Sequence, residues 1–172
     1  MNKTVAIIGS SRRNGNTGKL IDCIAQSLKI EVVDLGLKHL SSFDYDHKNL
    51  NDDFLPILDH LLLHDNIIFA CPVYWYAMSA QMKVFIDRMS DLLVLDDLKN
   101  RGRQLRGKTG YLVATSASAH LDNSFKDSFI KTFEYLGIMY GGFVHLDCNK
   151  GFDINSGEAD ITHFVHKFAW SV

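Results

Sequence analysis

The chain has 172 residues, of which 47% are hydrophobic and 22% charged, and its formal net charge is −2. This length and composition predict a single domain over residues 1–172, long enough to bury its own core. The near-neutral charge, with no run of Lys or Arg, argues against nucleic acid or an anionic membrane surface as the main partner, and the lack of a long apolar segment predicts neither a secretory signal nor a membrane span.

The first predicted element is a strand that ends in a polar loop. Residues 5–8 are apolar without alternation, which favours a parallel strand buried on both faces. The loop that follows is rich in Gly, Ser and Asn, and apolar residues at helical spacing then predict a helix over about 17–28. Unpaired N–H groups and the dipole at a helix N-terminus favour an anion, and Arg12 and Arg13 add positive charge. The loop is therefore either a phosphate site or an ordinary turn with two solvated arginines.

Better-known phosphate loops do not match this stretch. The Walker pattern requires Ser or Thr after Gly18-Lys19, where this chain has Leu20, and Gly9, Gly15 and Gly18 do not have GxGxxG spacing. A cysteine phosphatase is excluded because the loop contains no Cys. The hydroxyl and amide side chains that remain suit a terminal phosphate monoester.

The rest of the chain continues to alternate strands with helices. In order, the pattern predicts a strand at 31–36, a long polar loop at 37–51, a helix from 54, an apolar strand at 67–71, an aromatic-rich loop at 72–78 and a helix from Ser79 to about 93. These are followed by a basic connection at 99–108, a strand at 111–114, a loop of small residues at 115–120, a helix at 125–136, a strand at 143–146 and a final helix at 161–168.

Five short buried strands alternating with five helices predict an α/β doubly wound parallel sheet, with strand order 2-1-3-4-5 and helices on both faces. In such sheets ligands bind beyond the carboxyl ends of the strands, at the switch point between strands 1 and 3. The loops after strands 1, 3 and 4 are therefore expected to share one ligand. They offer a phosphate cradle, aromatic walls and small residues, a set that FMN fits best among common cofactors.

Two segments carry a specific resemblance. Residues 9–17 (GSSRRNGNT) and 71–88 (CPVYWYAMSAQMKVFIDR) resemble the NADPH-dependent FMN reductase-like family of the flavodoxin fold, in the branch that includes iron–sulfur flavoproteins and multimeric flavodoxin-like quinone reductases. The compatible pattern covers nearly the whole chain. Because the 37–51 loop has no cysteine, the cluster of the iron–sulfur flavoproteins is not expected here.

The resemblance implies roles for three groups of residues. The FMN phosphate would be bound by Ser10, Arg12, Asn16 and Thr17, with help from Ser11 and Asn14. The isoalloxazine ring and ribityl chain would contact Pro72, Val73, Tyr74, Trp75 and Tyr76, and the position of the third family loop corresponds to Thr115, Ser116 and Ala117. It also implies a homodimer or homotetramer.

Several other residues are weighed as candidates. His120 could approach the flavin or the substrate, and Phe43 and Tyr45 could cover the active site of this or a neighbouring subunit. Lys83, Asp87 and Arg88 are interpreted as structural ion pairs, and Cys71 as a small core residue. The histidine pairs at 60/64 and 163/166 have no third ligand nearby, so no metal site is predicted. The basic segment 99–108 is either a solvated loop or a site for the extra phosphate of NADPH.

Together these observations predict a cytoplasmic FMN-dependent NAD(P)H oxidoreductase that passes hydride from a nicotinamide to bound flavin and on to a quinone, a flavin or a similar small acceptor. The compartment follows from three cysteines, an odd number without CxxC spacing, which predicts reduced thiols. Two alternatives remain open. One is a flavodoxin-like FMN electron carrier that does not oxidise nicotinamides, and the other is a phosphate-binding module without flavin.

Overall fold

A computed structural model describes residues 2–169 of the chain. Across these residues the strands are β1 (Thr4–Ile8), β2 (Val32–Asp34), β3 (Asn66–Tyr74), β4 (Ala77–Met78), β5 (Thr109–Ser116) and β6 (Met139–Asp147). Five of them form a parallel sheet in the order β2-β1-β3-β5-β6, and the short β4 pairs antiparallel with β3. The order predicted for the five main strands is confirmed.

Helices cover both faces of this sheet, as predicted. They are α1 (Asn16–Leu28), α2 (Phe54–Leu62), α3 (Ala80–Arg88), α4 (Asp91–Val94), α5 (Asp96–Arg103), α6 (Asn123–Leu136) and α7 (Glu158–Ala169), with 3-10 turns at Leu35–Leu37 and Ile154–Gly157. Apolar side chains of α1 and α7 pack on one face, and those of α2, α3 and α6 pack on the other.

The first strand shows why its sequence lacks polar alternation. Val5 and Ile7 point into the core under α2 and α3, whereas Ala6 and Ile8 point into the core under α1 and α7. All four side chains are fully buried. Successive residues of a strand face opposite sides, so a sheet covered on both sides requires apolar residues at every position.

The prediction that the third strand stops at Pro72 is wrong. The strand continues to Tyr74, turns at Trp75 and Tyr76, and returns as β4, so the predicted aromatic loop is a β-hairpin. Pro72 has no N–H for the sheet, and the carbonyl of Gly9, the residue after β1, accepts a hydrogen bond from the Ser79 hydroxyl instead (2.6 Å). Pro72 is therefore compatible with its place in β3, because β1 has already ended there and does not require an N–H from it.

The predicted helix from Ser79 to about 93 is interrupted after Arg88. The Arg88 guanidinium is fully buried and pairs with Asp91 (Nε to Oδ2, 2.6 Å) and with Asp52. These contacts confirm that Arg88 forms structural ion pairs. The chain resumes as the short α4, in which Leu92 is buried and Leu93 is 43% exposed.

The segment 99–108, predicted as a connection without regular structure, is helical over its first half. Helix α5 begins at Asp96, with Asp96 and Asp97 in its first turn, and buries Leu98. Acidic residues at a helix N-terminus and an Asp96–Lys99 pair at spacing i,i+3 stabilise this short helix. The sequence pattern missed it because only one apolar residue faces inward.

Candidate active site

The loops after β1, β3 and β5 meet at the edge of the sheet where these parallel strands end. They enclose a cleft of about 240 Å³. Its lining residues are Ser10, Arg12, Gly15, Asn16, Thr17, Pro72, Val73, Tyr74, Thr115, Ser116, Ala117 and Cys148. All of them except Gly15 and Cys148 belong to the set that the sequence analysis singled out.

One end of the cleft is suited to an anion. Helix α1 begins at Asn16, and no side chain caps it, because its N-cap residue is Gly15. Its first N–H groups are therefore available to a ligand. Arg12 lies beside them, and within residues 2–169 its guanidinium forms no ion pair with a carboxylate. This combination of free N–H groups, helix dipole and unpaired guanidinium favours a phosphate.

The neighbouring Arg13 has a different environment. Its guanidinium bonds both carboxylate oxygens of Asp22 on α1 and lies 3.8 Å from Asp34. The hydrogen bonds that Arg13 donates to Asp22 raise the pKa of Arg13 above its usual value. Its backbone packs against Gly18, where an added Cβ would lie 1.6 Å from the Arg13 carbonyl oxygen. Arg13 therefore holds the loop against the helix and does not line the cleft.

Side-chain hydrogen bonds join the three loops to one another. The hydroxyls of Thr17 and Thr115 lie 2.7 Å apart, and both side chains are almost completely buried. The hydroxyl of Ser11 lies 3.1 Å from that of Tyr74. The first loop is thus tied to the third by one contact and to the second by another, which keeps the cleft in one arrangement.

The β3–β4 hairpin forms an aromatic rim next to the cleft. Trp75 and Tyr76 are its two turn residues, with φ values of 49° and 63°. A two-residue hairpin turn of type I′ requires this left-handed conformation at both positions, which are usually occupied by Asn and Gly. Trp75 is 94% exposed and Tyr76 66% exposed, so neither ring lines the cleft.

The end of β6 contributes residues that sequence reasoning missed. Cys148 lines the cleft, and its N–H bonds the Ser116 carbonyl (2.7 Å). His145 Nε2 lies 2.8 Å from the Ser116 hydroxyl. Burial lowers the pKa of His145, and burial, followed by the charge of Asp147, raises the pKa of the Cys148 thiol. No local motif marks these positions, but the rule that ligands bind beyond strand ends applies to the fifth main strand as well.

The cleft has the features that bound FMN requires. A phosphate monoester fits the free N–H groups of α1 and Arg12, and the buried hydroxyls of Ser10, Thr17 and Thr115 offer further polar contacts. The sequence profile of the NADPH-dependent FMN reductase family matches residues 2–143. The chain belongs to that family. Membership confirms the expected cofactor, FMN, and the expected electron donor, NAD(P)H.

Other proteins resemble this FMN reductase over nearly its whole length. The Bacillus subtilis protein YwqN, described as an NAD(P)H-dependent FMN-containing oxidoreductase, is 27% identical over 160 residues, 88% of each chain. The structure of the Trp repressor binding protein from Bacillus subtilis superimposes with a TM-score of 0.78 and 24% identity, covering 99% of this chain and 100% of that one. That of an FMN-dependent NADH-azoreductase from Bacillus anthracis, in complex with FMN, gives 0.67 and 14%, covering 98% and 97%. Both structures show the flavodoxin-like fold.

The residues predicted on the substrate side of this FMN reductase do not line its cleft. Phe43 and Tyr45 pack edge to face with their ring centres 4.9 Å apart, and Tyr45 is 88% exposed. His120 is exposed on the loop after β5. Two residues that were expected to help bind the FMN phosphate, Asn14 and Ser11, are also exposed and outside the cleft lining, although Ser11 bonds Tyr74. None of these five residues lines the cleft.

The basic segment 99–108 lies at the opposite edge of the sheet from the cleft. It leads into Thr109, the first residue of β5, whereas Ser116 at the cleft is the last. Seven residue steps of extended strand separate Thr109 from Ser116, a distance of roughly 20 Å. The hypothesis that this segment meets the extra phosphate of NADPH stays a prediction, and it requires the nucleotide to reach that far from the cleft.

Cys71 is fully buried, and its Sγ accepts a hydrogen bond from the Ser79 N–H. Burial raises the pKa of its thiol to about 11, which confirms Cys71 as a core residue.

In the part of the chain that the structure describes, no cluster of three His, Cys, Asp or Glu side chains could hold a metal ion. No helix within residues 2–169 has the length and apolar character to cross a bilayer.

Proposed function

We propose that this FMN reductase holds its cofactor in the cleft between the three loops, accepts hydride from NAD(P)H, and passes the electrons to a quinone, a flavin or a similar small acceptor. The observation that carries the proposal is the free N-terminus of α1 beside the unpaired Arg12, at the point where all three loops meet. When bound, FMN supplies a ring that accepts hydride and then gives up two electrons.

The first loop binds the phosphate in this proposal. Arg12 provides a full positive charge, Ser10 and Thr17 provide hydroxyls, and Asn16 provides an amide at the first turn of α1. Charge-assisted hydrogen bonds to phosphate are about twice as strong as neutral ones, so Arg12 contributes most to this end of the site. Ser11 and Asn14 act from the rim.

The second and third loops orient the ring. Val73 and Tyr74 contribute backbone groups on one side, and Thr115 to Ala117 do so on the other. Trp75 and Tyr76 present exposed aromatic faces next to the cleft, where a nicotinamide and then an acceptor can stack. Hydride transfer depends mainly on position, so the site requires no acid–base pair from the protein.

The open rim supports a range of flat acceptors. The exposed rings of the hairpin favour planar aromatic molecules such as quinones and flavins. The likeness to an FMN-dependent NADH-azoreductase supports azo compounds as a further class of acceptor.

The proposal also covers the organisation of the protein. It includes one domain over residues 1–172, a reducing cytoplasmic compartment in keeping with the three free thiols, and a homodimer or homotetramer.

The test is the visible spectrum of the FMN-loaded protein under anaerobic conditions, recorded before and after addition of NADPH and, separately, NADH. Rapid bleaching of the bound flavin band is the expected result, and the faster nucleotide identifies the preferred donor. A bound flavin that stays yellow with both nucleotides would instead favour an electron carrier. Failure to bind FMN would favour a phosphate-binding module.

A further inference from the structure

The third loop of the cleft is exposed and forms few hydrogen bonds among the described residues. Residues 117–120 are all exposed. Across the described chain, the hydrogen bonds of this loop run to a single side chain, because the Ser118 N–H donates to Ser116 Oγ (3.2 Å) and the Ser118 carbonyl lies 3.3 Å from the same oxygen. The position of this loop over the cleft therefore depends on the Ser116 hydroxyl.

The Ser116 hydroxyl is held in turn by His145. These residues lie on the adjacent strands β5 and β6, and His145 Nε2 is 2.8 Å from Ser116 Oγ. Burial lowers the pKa of His145, an effect that exposed His120 reinforces and Asp147 opposes, so the imidazole is neutral at pH 7. From α6, Lys126 stacks on Phe143, two residues before His145. The tautomer that satisfies all three contacts carries its proton on Nε2, which donates to Ser116 Oγ, so that the serine oxygen accepts from the Ser118 N–H and its hydroxyl donates to the Ser118 carbonyl.

We propose that His145 is a positioning residue of the cofactor cleft, which acts through Ser116 to hold the loop at 117–120 in its binding conformation. Apart from the contact with the Ser116 hydroxyl, the imidazole forms no hydrogen bond with the cleft lining or with residues 117–120 among the described residues. It fixes the direction of one hydroxyl proton, and that hydroxyl is the attachment point of the loop. This role rests on the proposed function, since it places FMN in this cleft.

The first test compares the wild type with five variants, and measures FMN binding to each apo-protein at pH 7 by the quenching of FMN fluorescence. His145→Phe keeps a ring but removes the Nε2–H donor, and we expect about fivefold to tenfold weaker binding, the effect of one hydrogen bond. His145→Gln restores a neutral N–H donor and is expected to bind close to wild type. Ser116→Ala should weaken binding as His145→Phe does, and combining the two should add nothing. His163→Phe, at an exposed site on α7, is the matched control.

A second measurement needs neither a variant nor the cofactor. Nitrogen NMR of the apo-protein at pH 7 is expected to show His145 with its proton on Nε2 and none on Nδ1, and hydrogen exchange at residues 117–120 is expected to accelerate in His145→Phe. The inference would be overturned by a proton on Nδ1 with none on Nε2, by unchanged exchange, or by a loss of FMN affinity from His145→Phe that is the same in the Ser116→Ala background as in the wild type. If wild type itself fails to bind FMN, the proposed function fails, while the NMR result still decides the role of His145.

Discussion

Arg12 and Arg13 are adjacent in the first loop, yet only one of them is available to a ligand. Arg13 forms an ion pair with Asp22, whereas Arg12 lines the cleft without a carboxylate partner among the described residues. A guanidinium already bonded to a carboxylate has little to gain from a phosphate, because the new contact must replace an existing one.

We expect Arg12→Gln to weaken binding of FMN to the apo-protein by about tenfold to hundredfold, the effect of a charge-assisted hydrogen bond. Binding of riboflavin, which lacks the phosphate, should be unchanged. The measurement is a fluorescence titration with each flavin. Arg13→Gln is the matched control and should bind FMN close to wild type. A loss that is equal for both flavins would show that Arg12 does not act through the phosphate.

At the scale of elements, the β3–β4 hairpin stores backbone strain at the rim of the cleft. Two large L-residues hold a left-handed conformation that costs roughly 1 kcal/mol or more for each. We expect Tyr76→Gly to raise the free energy of unfolding by about 1 kcal/mol, measured by urea denaturation of the apo-protein. The control is Tyr45→Gly, at an exposed tyrosine without a positive φ, which should not stabilise the protein. Equal effects at both positions would argue against strain in the turn.

Helix α3 contains a buried and an exposed ion pair, which allows a direct comparison. Arg88→Met leaves the buried Asp52 and Asp91 without their cation, and we expect the free energy of unfolding to fall by about 3–5 kcal/mol. Lys83→Met breaks only the exposed pair with Asp87 and should cost about 0.3–0.5 kcal/mol. Urea denaturation at pH 7 measures both. Similar small losses would mean that the buried cluster does not hold α3 in place.

At the scale of the whole molecule, stability depends on two cores separated by the sheet. Ile7 and Ile8 are consecutive in β1 and fully buried on opposite faces. We expect Ile7→Ala and Ile8→Ala each to lower the free energy of unfolding by about 2–5 kcal/mol, because each leaves a cavity in a packed core. Urea denaturation of the two variants tests this. A loss below about 1 kcal/mol for either would show that its face is not covered by a packed core.

Much of this architecture was predictable because its signals are local. Apolar runs such as residues 5–8 marked strands buried on both faces, and the strand order followed from the alternation of elements. The extension of β3 to Tyr74 and the helix α5 were missed because short elements carry little periodic signal. His145 and Cys148 were missed because their proximity to Ser116 depends on the β5–β6 register, which pairs Ser116 with Asp147.

The sequence by itself determined the alternation of strands and helices, the three loops that meet at the cleft, and the resemblance that identified the family, since each is written in neighbouring residues. Only the tertiary structure decided which arginine is free, that Thr17 meets Thr115, and that His145 holds Ser116. These outcomes depend on hydrogen-bond distances that must be correct to a few tenths of an ångström, between residues up to 98 positions apart, and such distances are set by the packing of the whole chain.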